Sequence, residues 1–222
     1  MSATATRFDA VVFDLGGVVM PSPLDAFRAY EARAGLPHRF LSEVVLAGGD
    51  GGAWARLERG ELSMDDFADE FAAECVRAGG TVDVGELFAD VHAGSAPHPE
   101  MVVAIRRVRA VGLKTGALTN NWRDADTGDS VGSGPDRPAL ADLFDAVVES
   151  AVEGLRKPDR RIYEVACERL AVMPEATVFL DDLGVNLKPA RAMGMTTIKV
   201  TGPRQAVAEL EDVLGFPLAD AS

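Results

Sequence analysis

Cysteine and histidine are scarce: the 222 residues hold two cysteines, Cys75 and Cys167, and three histidines. The cysteines lie far apart, each inside a helix-like apolar pattern. They read as two buried thiols, with no spacing that favours a disulfide or a zinc site. Positive charge is also short, with 22 Lys and Arg against 35 Asp and Glu and a net charge of −13. A duplex phosphate backbone would be repelled, so no nucleic-acid partner is expected. An anionic substrate then has to be held by local donors and a metal, against the global field. Long apolar runs are missing, since none approaches the roughly 20 residues of a membrane span. Met1 to Arg7 is short and polar, with no apolar stretch before Phe8. Neither a signal peptide nor a membrane partner is expected, and the cytoplasm is the default address.

What is present is ordinary globular composition, 47% hydrophobic and 26% charged, enough for a sizeable core. The beginning and the second half alternate strand and helix. Phe8 to Asp14 is a short apolar run that ends in an acid and is stopped by Gly16-Gly17, which reads as a buried parallel strand. Further strands are expected at Leu113–Thr119, Ala146–Val148, Thr177–Leu180 and Thr196–Val200. Helices are expected at Met101–Val111, Asp159–Leu170, Val185–Met193 and Gln205–Leu214, three of them closed by Gly112, Gly194 or Gly215. This rhythm predicts an α/β fold, a Rossmann-like parallel sheet with helices on both faces. Asp124 to Pro138 is polar and Gly-rich and reads as a surface loop.

Residues 21–97 break the rhythm and read as helices only. Leu24–Ala34, Arg39–Ala47 and Gly85–His92 have helical spacing. Ser63 caps a further helix whose Met64, Phe67, Phe71 and Cys75 share one face. The division expected is a core in 1–20 and 98–222 with an inserted all-helical cap in 21–97, hinged at its Pro-containing ends. Gly48 to Gly52 reads as a loop between helices, a candidate substrate-facing loop of the cap with Trp54 as a wall.

Ligands bind beyond the carboxyl ends of open parallel sheets, and that rule gathers Asp14, Thr119-Asn120 and Asp181-Asp182 at one edge. Acids converging there repel one another unless a cation neutralises them, and oxygen-only ligands favour Mg²⁺.

The segments D-L-G-G-V (14–18), L-T-N-N (118–121), R-K-P (156–158) and F-L-D-D-L-G-V-N (179–186) resemble, in order, the four motifs of the haloacid dehalogenase superfamily. The nearer resemblance is to the phosphatase-like N-terminal domains of soluble epoxide hydrolases and the corresponding domain of acyl-CoA dehydrogenase family member ten. It is carried also by R-K-P-D-R-R-I-Y (156–163) and G-G-D-G-G-A-W (48–54). The resemblance implies a hydrolase acting on a small-molecule phosphate. Asp14 would be the nucleophile, and Asp14, the Gly16 carbonyl and the Asp181-Asp182 pair the Mg²⁺ site, with either acid of the pair the direct ligand and the other in the outer shell. Thr119, Asn120 and the Gly16-Gly17 backbone would bind phosphate. Lys157 would be a cation beside both Asp14 and the phosphate, and Asn186 a support for the acidic loop.

One position departs from the pattern. Family phosphatases usually carry a second Asp two residues after the nucleophile, where it protonates the leaving oxygen; here Gly16 stands there. That leaves a phosphatase limited by its leaving group, a non-catalytic or regulatory domain, and a metal-independent dehalogenase, whose halide leaves without a proton.

Overall fold

Residues 6–93, 96–123, 140 and 142–218 are described in the computed structural model. Five short runs form the sheet: β1 (Ala10–Phe13), β2 (Lys114–Thr119), β3 (Ala146–Glu149), β4 (Thr177–Asp181) and β5 (Thr196–Lys199). Their order is β3-β2-β1-β4-β5, and every pair is parallel. Strands buried on both faces have no polar side to show, which is why β1 reads AVVF and β4 TVFLD without alternation. Val11, Phe13, Val178 and Leu180 enter a core on one face, closed by α6 (Pro99–Ala110) and α10 (Pro203–Leu214). Ala10, Val12, Leu118 and Phe179 enter the other, closed by α8 (Arg160–Leu170) and α9 (Gly184–Ala192). The expected Rossmann-like parallel sheet is thus observed.

Between β1 and α6 the described chain is helical, as read: α1 (Pro23–Ala34), α2 (Phe40–Gly48), α3 (Ala53–Glu58), α4 (Met64–Arg77) and α5 (Val84–Ala93). These helices enclose an apolar core of their own, rich in aromatics such as Phe27, Phe67, Phe71 and Phe88. Local signals set several of their ends. Ser63 Oγ accepts from Asp66 N at 3.1 Å, the cap the sequence predicts. The N-terminus of α2 is satisfied from outside: the buried Glu31 carboxylate of α1 accepts from Arg39 N and Leu41 N, both at 2.9 Å.

Two elements differ from the sequence reading. Residues 53–58 form α3, a helix the sequence pattern does not single out within the helical block. Its first N–H is capped by Glu74 Oε1 at 3.0 Å, across 21 residues of chain, and no local pattern encodes such a cap. Trp54 lies in the middle of the helical core, 7% exposed, edge-on to Phe27, Phe67 and Phe71, and so is not the wall of an open cavity. A short helix, α7 (Ser150–Glu153), also follows β3 directly. The loop expected over 124–138 lies outside the described residues. No described helix is long and apolar enough to cross a membrane.

The two chain crossings into the helical block are tied together, His98 N donating to Val19 O at 2.8 Å. The block also rests on the sheet's carboxyl edge. Gly60, after α3, has φ +68, and a Cβ there would lie 2.5 Å from Ala151 O, so only glycine allows the backbones to meet. Trp122, just past β2, is packed into the helical core against Trp54 and Phe88.

Candidate active site

β1 ends at Phe13, and the chain turns back at once. The Leu15 carbonyl accepts from Val19 N at 2.9 Å and Met20 N at 2.8 Å. The turn leaves Asp14 at the carboxyl edge of the central strand, where a crevice forms between parallel strands whose connections lead to opposite sides. Asp14 Oδ1 accepts from Leu15 N at 2.7 Å, and Asp14 Oδ2 meets Lys157 Nζ at 2.7 Å.

β4 delivers the second pair of acids. Asp181 is fully buried, and both of its oxygens are taken. Oδ2 meets Lys157 Nζ at 2.8 Å, Oδ1 accepts from Leu183 N at 2.7 Å, and Asn186 Nδ2 reaches both at 3.1 Å. Asn186 is itself fixed by Tyr163, whose hydroxyl donates to its carbonyl at 2.7 Å. Asp182 is less engaged. Its carboxylate accepts from Ser22 Oγ at 3.3 Å and lies against the backbone of Gly17. Gly17 has φ +77, and a Cβ there would sit 2.2 Å from Asp182 Oδ2. The glycine is needed for both reasons.

Lys157 is the one cation between these acids among the described residues, 1% exposed, with Nζ also donating to Leu118 O at 2.9 Å. Its backbone is gripped by Asn120: Oδ1 accepts from Lys157 N at 2.8 Å and Nδ2 donates to Lys157 O at 3.1 Å. The Asn120 side chain is therefore spent on holding Lys157. Thr119 is buried at the end of β2, its hydroxyl donating weakly to Asn120 O at 3.4 Å. Gly16 lies outside the left-handed region, and a Cβ there would meet Pro23 Cδ at 3.2 Å.

The charges do not balance. Asp14, Asp181 and Asp182 offer carboxylate oxygens all within 4.8 Å of one another, opposite one ammonium. Two like charges about 4 Å apart repel by on the order of 4 kcal/mol at an effective dielectric near 20. Burial pushes the Asp14 carboxyl well above its ordinary range; Asp181 and Asp182 add to that, and Lys157 works against it. Burial, then Asp181, likewise raises Asp182. For Lys157, burial disfavours the ammonium, yet Asp14 and Asp181 outweigh it and hold the pKa above the usual lysine value. The donor set fits a hard divalent cation: three carboxylates, all oxygen, with excess negative charge. Away from this cluster, Cys75 and Cys167 are buried free thiols pushed up to about 11, mainly by burial.

Four residues around the site carried no role in the sequence reading. Asn121 joins the ends of β2 and β3, taking Ser150 Oγ on its N–H at 2.9 Å and donating to Glu149 Oε1 at 2.9 Å. Arg156 and Glu58 form a buried-edge pair, Nε to Oε2 at 2.6 Å. Trp122 is the fourth. Asn121 and Arg156 lie inside the segments L-T-N-N and R-K-P, but what they hold shows only in the distances; Glu58 and Trp122 lie outside those segments.

A family model described as haloacid dehalogenase-like hydrolase matches residues 8–194. Acyl-CoA dehydrogenase family member 10 of Mus musculus is 40% identical over 95% of this chain, which spans 20% of that protein's length. Bifunctional epoxide hydrolase 2 of Sus scrofa is 34% identical over 94% of the chain, which spans 39% of its length. The chain thus covers less than half of either relative. Sesquiterpene phosphatase astK of Aspergillus oryzae is 25% identical over 95% of this chain and 98% of its own. Among solved structures, a family enzyme of Bacteroides thetaiotaomicron in complex with magnesium and inorganic phosphate superimposes with a TM-score of 0.57, covering 86% of this chain and 93% of that one at 17% identity. The L-2-haloacid dehalogenase of Xanthobacter autotrophicus does so at 0.56, covering 96% and 84% at 20% identity. At these identities both likenesses speak to the fold.

Proposed function

As this chain belongs to the haloacid dehalogenase-like hydrolase family, we propose that it is a Mg²⁺-dependent phosphatase of small organic phosphomonoesters acting through an aspartyl phosphate on Asp14. The observation that carries this reading is the buried cluster in which Lys157 Nζ bridges Asp14 and Asp181 while Asp182 completes a group of three carboxylates. Phosphoryl transfer needs charge neutralisation and in-line placement above all, and these residues offer both. A relative of nearly the same length that is named a phosphatase supports the same class.

In the proposed reaction an Asp14 oxygen forms a bond to phosphorus as the ester oxygen leaves. Water then cleaves the acyl phosphate, releasing phosphate and returning the carboxylate. Lys157 favours the ionised form of Asp14 against its burial and faces the incoming phosphoryl group. The Thr119 hydroxyl and the backbone of Gly16, Gly17 and Asn120 receive phosphoryl oxygens. The cation would be held by Asp14, the Gly16 carbonyl and Asp182. Asp181, already saturated by four hydrogen-bond contacts, would act from behind. When bound, Mg²⁺ supplies the positive charge that the cluster and the phosphate both lack. The helical block in 21–97 serves as a cap that excludes water, with the core in 1–20 and 98–222.

Gly16 favours a second reading, a domain that binds phosphate without turnover. A panel of phosphomonoesters assayed for phosphate release, with Mg²⁺ and with chelator, separates the two. Metal-dependent release is expected. No release from any ester, and no trapped aspartyl phosphate, would leave the binding-only reading. Phosphate release undiminished in chelator would remove Mg²⁺ from the reading, and halide release from a 2-haloacid in chelator would point to dehalogenase chemistry.

A further inference from the structure

The helical block sends one buried carboxylate to the sheet edge. Glu58, the last residue of α3, is 7% exposed and accepts from three donors. Trp54 Nε1 reaches its Oε1 at 3.0 Å; Arg156 Nε and Asn120 Nδ2 reach its Oε2 at 2.6 Å and 3.3 Å. Two of those donors bear directly on Lys157. Arg156 is its sequence neighbour, and Asn120 grips both its peptide N–H and its carbonyl, at 2.8 Å and 3.1 Å. The amide of Asn120 has one orientation that serves Lys157 N and Lys157 O together, and a carboxylate beside Nδ2 favours that orientation. At the far end of the same residue, Nζ sits 2.7 Å from Asp14 and 2.8 Å from Asp181.

We propose that Glu58 is a positioning residue: by orienting Asn120 and pairing with Arg156 it fixes the Lys157 backbone, and so the place of Nζ between Asp14 and Asp181. The inference rests on the reading of Asp14 and Lys157 given above for its effect on turnover, but not for its effect on Lys157 itself. Its consequence is that the site is fully assembled only while α3 is docked. The block then contributes to chemistry as well as to enclosure.

The chain has four lysines, Lys114, Lys157, Lys188 and Lys199, and of these only Lys157 is buried. Its side-chain ammonium is therefore a resolvable signal in ¹⁵N-lysine-labelled protein. Three variants are compared with wild type, by that signal and by p-nitrophenyl phosphate kinetics with Mg²⁺. Glu58→Ala removes the acceptor, Glu58→Gln retains an oxygen of the same reach, and Glu58→Asp withdraws the carboxylate by one carbon. Glu58→Ala is expected to shift or broaden the Lys157 signal and to lower kcat by about 10- to 100-fold with KM nearly unchanged, the usual effect of losing a supporting hydrogen-bond partner. Glu58→Gln should recover most of both. If Glu58→Ala does not fold, Glu58→Asp should show the same two effects in smaller measure. A folded variant with an unmoved Lys157 signal overturns the proposal, whatever happens to kcat. A wild type that turns over no phosphomonoester, with a Lys157 signal that still moves in Glu58→Ala, leaves the positioning role standing and removes only the phosphatase reading.

Discussion

Placing a carboxyl at position 16 is the most informative perturbation of this site. Gly16→Asp supplies the acid that the chain lacks, and the structure says how well it fits. The backbone there is not left-handed, so the substitution carries no conformational penalty of the kind Gly17 would incur. Space is the constraint. The new Cβ would stand 3.2 Å from Pro23 Cδ and 3.6 Å from Cγ, at the first turn of α1. Such a contact asks the Pro23 ring to give by a few tenths of an ångström, so Gly16→Asp combined with Pro23→Ala should accommodate the acid better than Gly16→Asp alone.

General acid catalysis is worth about 10²- to 10⁴-fold where the leaving group needs a proton. In the wild type, kcat/KM should therefore fall steeply from p-nitrophenyl to phenyl to simple alkyl phosphates, as the departing oxygen bears negative charge less well. The variants should gain most on the alkyl esters, up to about 10²-fold, and little on p-nitrophenyl phosphate, so that the slope flattens. A pre-steady-state burst with the aryl ester is expected in the wild type, because the same acid would normally activate water for the second step. Phosphate release measured across the ester series, with Mg²⁺ saturating, gives the slopes. A flat series in the wild type would show that some other group already delivers the proton, and the reasoning from Gly16 would fall.

Asp14→Asn should lower turnover by at least about 100-fold while leaving the thermal unfolding midpoint close to wild type, since the side chains are nearly isosteric; higher residual activity in clean protein removes Asp14 as nucleophile. Without a cation, Asp14 and Asp182 have folded pKa values above the unfolded carboxylate value of about 3.9. The stability this represents is present below that pH and lost as pH rises through the folded values, so the rise in unfolding temperature caused by Mg²⁺ should be larger near pH ~8 than near pH ~5; an increment independent of pH would contradict it. Gly17→Ala puts a methyl 2.2 Å from Asp182 Oδ2 at φ +77 and should cost roughly 1–2 kcal/mol, with Mg²⁺ activation weakened as Asp182 is displaced; unchanged Mg²⁺ titration would show that Asp182 is not a ligand. Glu31→Ala orphans the N–H groups of Arg39 and Leu41 and should cost about 1–3 kcal/mol in urea unfolding, with kcat of the folded protein preserved.

The sheet was legible because its central strands are apolar runs, AVVF in β1 and VFL within β4, and because three strands end at a polar group on the carboxyl edge: Asp14 after β1, Thr119 in β2 and Asp181 in β4. Helix ends were legible where the cap is local, as at Ser63 and Asp159. They were not where the partner is distant in sequence, as for α3, whose cap is Glu74, and α2, whose cap is Glu31. The same divide runs through the site. Asp14, Lys157, Asp181 and Asp182 stand out by motif and strand position, and they converge. Glu58 does not, because what singles it out is a 2.6 Å contact with Arg156, 98 positions away.

The chain has only two tryptophans. Trp54 belongs to the helical block and Trp122 follows strand β2, yet their rings are 5.8 Å apart in one dry aromatic cluster. The Trp122 indole N–H is buried there without a partner among the described residues. Near-ultraviolet emission from this protein therefore comes from a single point, the seam between block and sheet. With the seam closed, both rings are buried among aromatic side chains, although the Trp54 N–H meets Glu58 Oε1; if α3 lifts away, Trp122 meets water and the emission moves to the red. The fold carries its own optical gauge of that seam, readable without a label while substrate, metal or temperature is varied.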